Sequence, residues 1–460
     1  MRIAIIGAGF TGAQLTLELL RRAPRGTTIL LFERSGVFGP GLAYSTVHAG
    51  HLLNVRAANM SALEDDPSHF LRWLWARDLP EQPASSIPPS GHAFVPRGVY
   101  GQYLAEALAD AERDAHPRVV VERLSRQVVN IDETDDGVFL GLAQGGEVAA
   151  DLAVLATGNN PPLWPGPDGI EDVAPERLIA NPWEDDAIAR IGPDDPVIIL
   201  GTGLTTVDVV TLLAQRGHRS QITAVSRRGL LSRVHEQTRG WKPFLEPGCV
   251  APTVTAYARR IRQEIKRAAA EGVDWRGVID ALRPHTQGVW RTLPAVERQR
   301  FLRHLRPWWE VHRHRMAPQV AAIIDRLTQA GTFKIVAGRI TRWAAAPAGV
   351  AITLEPKGNS GPPIRIEAAY VVNCTGASVD YRHLRDPLIR TLLDQGRARP
   401  DPLGLGLDVT DELNLIGTDD GKSPRIFALG PPTKAAFWEI TAVPDIRKQG
   451  RAFAARLFPG

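Results

Sequence analysis

Cysteine is almost missing from this chain. Two residues, Cys249 and Cys374, occur among 460. They form no C-x-x-C pair, so a dithiol redox centre of the disulfide-reductase kind has no residues to use. They provide no disulfide framework either, and reducing intracellular conditions are the natural setting. Long apolar runs are also missing, and no stretch approaches the roughly 20 residues of a membrane span. An apolar strand pattern begins within the first few residues and leaves no room for a signal peptide, so the expectation is a cytoplasmic protein. No Ser-His-Asp set or metal-spaced His/Cys cluster is evident. His312 and His314 stand two apart, a spacing that points to different faces of a helix, and no metal site is expected. A strong overall charge is lacking too, at net +4. Residues 251–316 nevertheless hold fourteen Arg/Lys against six Asp/Glu. That excess reads as a solvated helical face or as attraction for an anionic ligand. No nucleic-acid motif accompanies it, so nucleic acid is not expected as a partner.

What is present begins at the first residue. MRIAIIGAGFTG opens with an apolar run, Ile3 to Ile6, short enough for a buried parallel strand. Gly7, Gly9 and Gly12 follow at the G-x-G-x-x-G spacing, with Phe10 and Thr11 between them, and an apolar helical pattern comes next. The first glycine permits a tight turn, the second lets a pyrophosphate approach the backbone, and the third lets helix and strand pack closely. Phosphates then meet free N–H groups at the helix N-terminus. A second strand, Thr28 to Phe32, ends at Glu33-Arg34. A carboxylate there accepts hydrogen bonds from an unphosphorylated ribose. Strand, glycines, helix, strand and acid in this order predict a dinucleotide site.

Residues 36–70 are too irregular for one helix or strand and read as a long ordered loop. Gly39, Pro40 and Gly41 would let its backbone run close to a flat ligand. Leu53 and Asn54 lie in an apolar stretch, where Asn54 reads as a loop cap or as a cofactor contact. A helix is expected over 67–77, a proline-rich surface connection over 79–90, and a further helix starting near Tyr100. Arg97, just before it, reads as a surface residue or as one that reaches a phosphate, the former being preferred.

The chain then repeats itself. Strands at 119–121, 127–131 (with Val128) and 138–142 form an expected meander, closing in Asp151-Leu-Ala-Val-Leu-Ala-Thr157-Gly158. A second series at 334–336, 340–343, 350–354 and 364–366 closes in Tyr370-Val-Val-Asn-Cys-Thr375-Gly376. Ahead of it stands a second fingerprint, with strand Val197–Leu200 followed by Gly201-Thr-Gly203-Leu204-Thr205-Thr206 and a helix. Thr206 replaces the third glycine with another small residue. The next strand, Ile222 to Val225, ends in Ser226-Arg227-Arg228 instead of an acid. Guanidinium groups suit a 2′-phosphate, whereas a carboxylate repels it. The first fingerprint therefore reads as FAD or NAD, and the second as NADP. The helix-forming block 250–330 reads as an insertion or lid.

Two fingerprints, each followed by a meander and a Thr-Gly strand, resemble the two-dinucleotide-binding-domain flavoproteins over nearly the whole chain. The motifs GAGFTG, FGPGLAYS, HLLNV, FVPRGVYGQYL, GTGLTTVD, SRRG and WEITAVPDIRKQG resemble a bacterial FAD/NAD(P)-binding family. The chain is more distantly similar to flavin-containing and N-hydroxylating monooxygenases. The fold implied is α/β, with two Rossmann-like dinucleotide-binding domains, one for FAD and one for NAD(P), and a mainly helical insertion. The expected boundaries are 1–160 (FAD, first part), 161–235 (NAD(P), first part), 236–332 (insertion), 333–370 (NAD(P), second part) and 371–460 (FAD, second part). By the same resemblance Asn54 lies near the flavin, as the catalytic position. DLAVLATG resembles the D-x-x-x-L-A-T-G signature, while F-x-G-x-x-x-H is absent. Where such flavoproteins place Gly-Asp, this chain has Gly430-Pro431. Trp438-Glu439 is expected to open a helix aimed at the flavin pyrimidine or packed on the sheet. The implied activity is FAD-dependent oxidation of NADPH, with oxygenation of a small molecule. The alternatives are a flavin-dependent reductase or dehydrogenase and a non-catalytic dinucleotide sensor.

Overall fold

The computed structural model describes residues 1–77, 91–167, 169–184, 187–245 and 248–459. The expected connection over 79–90 lies outside them. The strands, in chain order, are β1 (Arg2–Ile6), β2 (Thr27–Phe32), β3 (Val119–Leu124), β4 (Val128–Glu133), β5 (Val138–Leu142), β6 (Glu147–Ala150), β7 (Leu152–Leu155), β8 (Leu178–Ile179), β9 (Val197–Leu200), β10 (Ile222–Ser226), β11 (Phe333–Ala346), β12 (Gly349–Pro356), β13 (Ile364–Ala368), β14 (Tyr370–Asn373), β15 (Asn414–Ile416) and β16 (Lys422–Ala428). The chain divides into two units, residues 1–49, 55–160 and 379–460 in one, and 50–54 and 161–378 in the other.

The first unit is built on a sheet of order β15-β16-β7-β1-β2-β3. β16, β7, β1, β2 and β3 run parallel, with Ile3 opposite Ile29 and Leu152, and Ile426 opposite Ala153. Ile3, Ala4 and Ile5 are wholly buried because both faces of a parallel sheet are covered. β4, β5 and β6 form a separate antiparallel sheet. The expected meander therefore loses its first member. β3 joins the parallel sheet beside β2, since Val119–Leu124 continues the parallel register from Thr27 to Phe32.

The second unit repeats the plan in the order β13-β12-β11-β10-β9-β14-β8. Here the strands expected at 334–336 and 340–343 are one element, β11. Its first half runs parallel to β10 and its second half antiparallel to β12, with a register shift between Ile340 and Arg342. β14 pairs with β9 and β8. The second unit therefore runs to Ser378, not to 370, and the chain re-enters the first unit at Val379. Between β10 and β11 come helices Val254–Ala270, Trp275–Ala281, Thr286–Thr292, Ala295–Arg300, Arg306–Arg313 and Pro318–Gln329. The first is capped by Thr253, whose hydroxyl accepts from Ala256 N–H. Ala268, Val273 and Val278 form a small core of their own there. Among the described residues no helix is long and apolar enough to cross a membrane.

Candidate functional site

Each unit carries one glycine turn at the carboxyl end of its central strand. In the first, β1 leads into Gly7 at φ +102°, and a Cβ there would lie 2.4 Å from the Ala156 carbonyl oxygen. Gly12, in helix Phe10–Arg22, would place a Cβ 1.9 Å from the Gly7 carbonyl oxygen. Glycine is thus imposed at both places by backbone on the other side. Gly9 is the N-cap and brings no side chain to the first-turn N–H groups. These donors and the helix dipole leave an anion site.

Glu33 closes the crevice at the end of β2. Its Oε2 accepts from Ala8 N–H at 3.0 Å, and its Oε1 accepts from Ser35 N–H and Oγ at 3.0 and 2.9 Å. The carboxylate thus braces the glycine turn. Arg34 is exposed and stands 3.7 Å from Asp386.

Gly39 and Gly41 do not line open space. Gly39 N–H donates to the Ala8 carbonyl at 2.7 Å, and a Cβ on Gly41 would lie 2.7 Å from Gly9 Cα. The loop is locked onto the turn itself. Helix Arg97–Ala115 presses on it in turn, because Cβ atoms on Gly98 and Gly101 would meet the Thr46 and Tyr44 carbonyls at 2.6 and 2.3 Å. Phe10, Tyr44 and Tyr100 pack edge-on or tilted around this junction. Burial pushes the Tyr44 phenol up to about 12, so it stays protonated.

At the end of β7, Thr157 and Gly158 flank the same turn, with Thr157 Cα 3.3 Å from the Cβ a side chain at Gly7 would have. Gly158 stands at φ +70° with nothing within 4 Å of its Cβ direction. Val128 is a core residue at the start of β4, opposite Leu142. After β16, Gly430 stands at φ +72° against Thr11, whose Oγ1 would be 2.6 Å from an added Cβ. Gly430 N–H donates to Gln449 Oε1 at 2.7 Å, and Pro431 opens a short 3-10 turn. Gln449 thus holds the backbone where an aspartate follows the glycine in the flavoproteins this chain resembles. The helix expected to open at Trp438 begins at Val443 instead. The cause is Glu439, a buried non-glycine residue at φ +66° that breaks the helical path, and Pro444 then starts the helix. Trp438 is buried, with Lys434 over its ring.

Leu53 and Asn54 fall in the second unit. Leu53 is buried, and the Asn54 carbonyl accepts from His235 Nε2 at 3.0 Å. In that unit Gly201 stands at φ +108°, where a Cβ would lie 2.3 Å from the Cys374 carbonyl oxygen. Gly203 caps helix Leu204–Gln215 and has nothing within 4 Å of its Cβ direction. Thr205 follows in the first turn. Thr206 is wholly buried, and its hydroxyl faces the Cys374 thiol. Thr375 Oγ1 donates to Asn373 Oδ1 at 2.7 Å, and Gly376 stands at φ +88° with open space beside it. At the end of β10, Arg227 is exposed, while Arg228 donates from Nη2 to the Arg303 carbonyl at 3.2 Å. Ser226 Oγ accepts from Gly229 N–H at 3.0 Å and Thr202 Oγ1 lies 2.9 Å away, which fixes the strand end.

Among the described residues no group of three His, Cys, Asp or Glu side chains is placed to hold a metal ion. His312 bonds the Trp308 carbonyl through Nδ1 at 2.7 Å. Sequence reasoning missed Tyr381. It enters on the return segment, and its hydroxyl reaches the end of β7 beside Thr157 and Asn160. Burial pushes this phenol up to about 12, with Asn160 and Thr157 opposing the shift. The only signal in the sequence was a tyrosine shortly after the second Thr-Gly.

Two doubly wound units with one glycine turn each define the two-dinucleotide-domain α/β architecture. Residues 4–160 match the family model described as FAD-NAD(P)-binding. No curated protein matches the chain in sequence. Among solved structures, the chain is similar to a reduced ornithine hydroxylase of Pseudomonas aeruginosa, at 14% identity and TM-score 0.61, over 100% of this chain and 98% of that one. It is similar to an FAD-bound cadaverine monooxygenase of Erwinia amylovora, at 12% identity and TM-score 0.63, over 100% and 94%. A thioredoxin reductase of Lactococcus lactis shares the fold at 12% identity and TM-score 0.52, over 100% and 99%. Likeness at these identities establishes the fold.

Proposed function

We propose that the chain is an FAD-dependent oxidoreductase that oxidises NADPH and oxygenates a small molecule. The observation that carries this reading is the duplicated glycine turn with unlike strand ends, Glu33 in one unit and Arg227-Arg228 in the other. The residues of the first turn fit FAD. Gly9 leaves the first-turn amides to the pyrophosphate, and Glu33 has lone pairs left for the adenosine ribose. The residues of the second fit NADPH. Gly203 leaves open space for the pyrophosphate, and the exposed Arg227 suits the 2′-phosphate. When bound, the flavin accepts electrons from a nicotinamide and passes them on; the protein supplies orientation, polarity and exclusion of water. Glu33 and the helix N-terminus hold the ribose and phosphates, and Gln449 fixes the backbone at Gly430.

Dithiol reduction, the chemistry named for the thioredoxin reductase likeness, finds no C-x-x-C pair here. The hydroxylases in the comparison favour oxygenation of an amine-bearing substrate. The absence of F-x-G-x-x-x-H favours a second reading, a reductase or dehydrogenase without oxygen insertion. The test is spectroscopic and chemical. Purified protein should be yellow, and NADPH should bleach it under anaerobic conditions. A screen of amines, thiols and ketones should then find one that stimulates NADPH consumption and gains one oxygen atom by mass. Bleaching with no oxygenated product would leave the second reading. A protein that takes up FAD but is bleached by neither NADPH nor NADH would defeat both.

A further inference from the structure

The helical insertion comes back to the end of β10. That strand closes at Ser226, and Arg227, Arg228 and Gly229 follow it. Arg228 donates from Nη2 to the Arg303 carbonyl at 3.2 Å. Slightly further on, Arg233 N–H donates to the Val311 carbonyl at 2.9 Å, and Met316 N–H donates to the Arg233 carbonyl at 2.8 Å. The insertion is thus laid along the stretch that leaves the strand, and all of these residues belong to the second unit.

The Arg303 carbonyl is free to accept because of a proline. In an α-helix it would bond the N–H four residues on. That residue is Pro307, which has no N–H. The helix is widened at the same place. Phe301–Leu305 is a π-helical turn, and Arg306 N–H reaches back five residues to the Phe301 carbonyl. Arg228 supplies the missing donor. Its guanidinium carries five N–H groups in a planar fork, and the carbonyl engages Nη2 alone. Arg228 is half-buried and makes no other hydrogen bond among the described residues. The rest of the fork is therefore left for a ligand. Carboxylates do not compete for it. Arg300 and Arg306, three residues before and after Arg303, pair with Glu297 and Glu310. Arg227, Arg228 and Arg303 have no such partner among the described residues. One held guanidinium beside an exposed one, with no acid to neutralise either, suits a phosphate dianion.

We propose that the insertion is part of the second nucleotide site: the Arg303 carbonyl, left unclaimed by Pro307, holds the Arg228 guanidinium in position for the 2′-phosphate of NADPH. This rests on reading the second unit as the NADPH site. Arg303 is then a positioning residue that acts through its main chain. Arg227 contributes charge, Arg228 contributes an oriented fork, and the insertion sets the preference for the phosphorylated nucleotide.

The probes are 2′,5′-ADP and 5′-AMP, which differ only in the 2′-phosphate. Each is titrated calorimetrically into protein saturated with FAD, so that the first turn is occupied. Pro307→Ala restores the N–H that claims the Arg303 carbonyl and alters no arginine. It should weaken 2′,5′-ADP about fivefold, because a released side chain must be ordered on binding. It should leave 5′-AMP unchanged and melt no lower than wild type. Arg228→Lys keeps the charge and loses the fork, and should weaken 2′,5′-ADP about tenfold with 5′-AMP again unchanged. Pro307→Ala that binds 2′,5′-ADP as wild type does overturns the proposal and leaves the NADPH reading standing. Arg228→Lys with wild-type affinity does the same, and decides the matter if Pro307→Ala does not fold. Equal weakening of both probes in either variant also overturns it, because the effect is then not on the 2′-phosphate. Wild-type protein that binds the two probes equally overturns the NADPH reading and the proposal with it.

Discussion

Gly201 and Gly203 lie two residues apart in the second turn, yet a methyl group should do opposite things at them. Gly201 stands at φ +108°, and its added Cβ would meet the Cys374 carbonyl oxygen at 2.3 Å. An L-residue in that backbone region costs about 1–3 kcal/mol. The overlap with main chain adds to it, so Gly201→Ala should destabilise the protein by roughly 3 kcal/mol or more, lowering the melting temperature by about 6–12 °C. Gly203 has φ −86° and ψ −167°, extended backbone that alanine adopts freely. Nothing lies within 4 Å of its Cβ direction. Alanine as an N-cap is disfavoured by about 1 kcal/mol or less, so Gly203→Ala should melt within about 3 °C of wild type. On the proposed reading, the space it fills is the space the pyrophosphate needs. NADPH affinity should therefore fall at least about tenfold, a loss near 1.4 kcal/mol. Differential scanning fluorimetry reads the first quantity, and calorimetric titration of NADPH reads the second. If Gly203→Ala binds NADPH as wild type does, the turn does not hold the nicotinamide dinucleotide and the assignment of the second unit fails. If Gly201→Ala melts with wild type, the close approach to Cys374 is wrong.

Three other perturbations are open to measurement. Arg227→Ala should raise the NADPH KM about tenfold and leave NADH unchanged, because one exposed guanidinium is worth about that much to a 2′-phosphate; equal effects on both nucleotides would remove its phosphate role. Burial pushes the Cys374 thiol well above its ordinary value, whereas Cys249 is exposed. Iodoacetamide at pH 8 should therefore give one adduct in native protein, on Cys249, and two after denaturation, read by mass spectrometry. Glu18 is raised above its ordinary value by burial first and by Asp65 second. A carboxyl raised in the folded state contributes its stability at low pH and loses it as pH climbs through the raised value. Glu18→Gln should therefore melt higher than wild type at pH 8, and the gap should close by pH 4; a gap that widens on acidification would reverse the sign of the argument.

The sequence carried the repeated plan because its signals are local. A short apolar run, glycines at fixed spacing and a charged strand end are all set within about thirty residues. Long-range pairing was less legible. Nothing in Val119–Leu124 distinguishes an edge strand of the parallel sheet from a meander strand, because both want the same β-branched alternation. In the second unit the equivalent pieces fuse into β11, and neither its change from parallel to antiparallel partner nor the shift after Ile340 leaves a mark in composition. The helix expected from Trp438 failed for a reason periodicity does not contain, the positive φ of Glu439. Gly39 and Gly41 were legible as close-approach residues. Their target, Ala8 and Gly9 on the same chain, was not. Tyr381 was invisible for the plainest reason, since its neighbours Thr157 and Asn160 are more than 200 positions away in the chain.

The departure from the glycine fingerprint at Thr206 has a structural consequence. In the first turn a Cβ at the third position would sit 1.9 Å from the Gly7 carbonyl oxygen, so the helix rests directly on the turn. A threonine cannot exist at that distance. Thr206 therefore cannot rest on its turn in the way Gly12 rests on the first. Thr206 is wholly buried, and its hydroxyl faces the Cys374 thiol. The two turns are thus alike in path and unlike in closeness. The first is clamped twice more, by Gly41 on Gly9 and by Gly430 on Thr11. The second has no comparable backbone clamp on Gly203, whose surroundings are open. A turn held on three sides suits a ligand that stays. An open one suits a ligand that must leave after each turnover, as an oxidised nicotinamide does and a resident flavin does not.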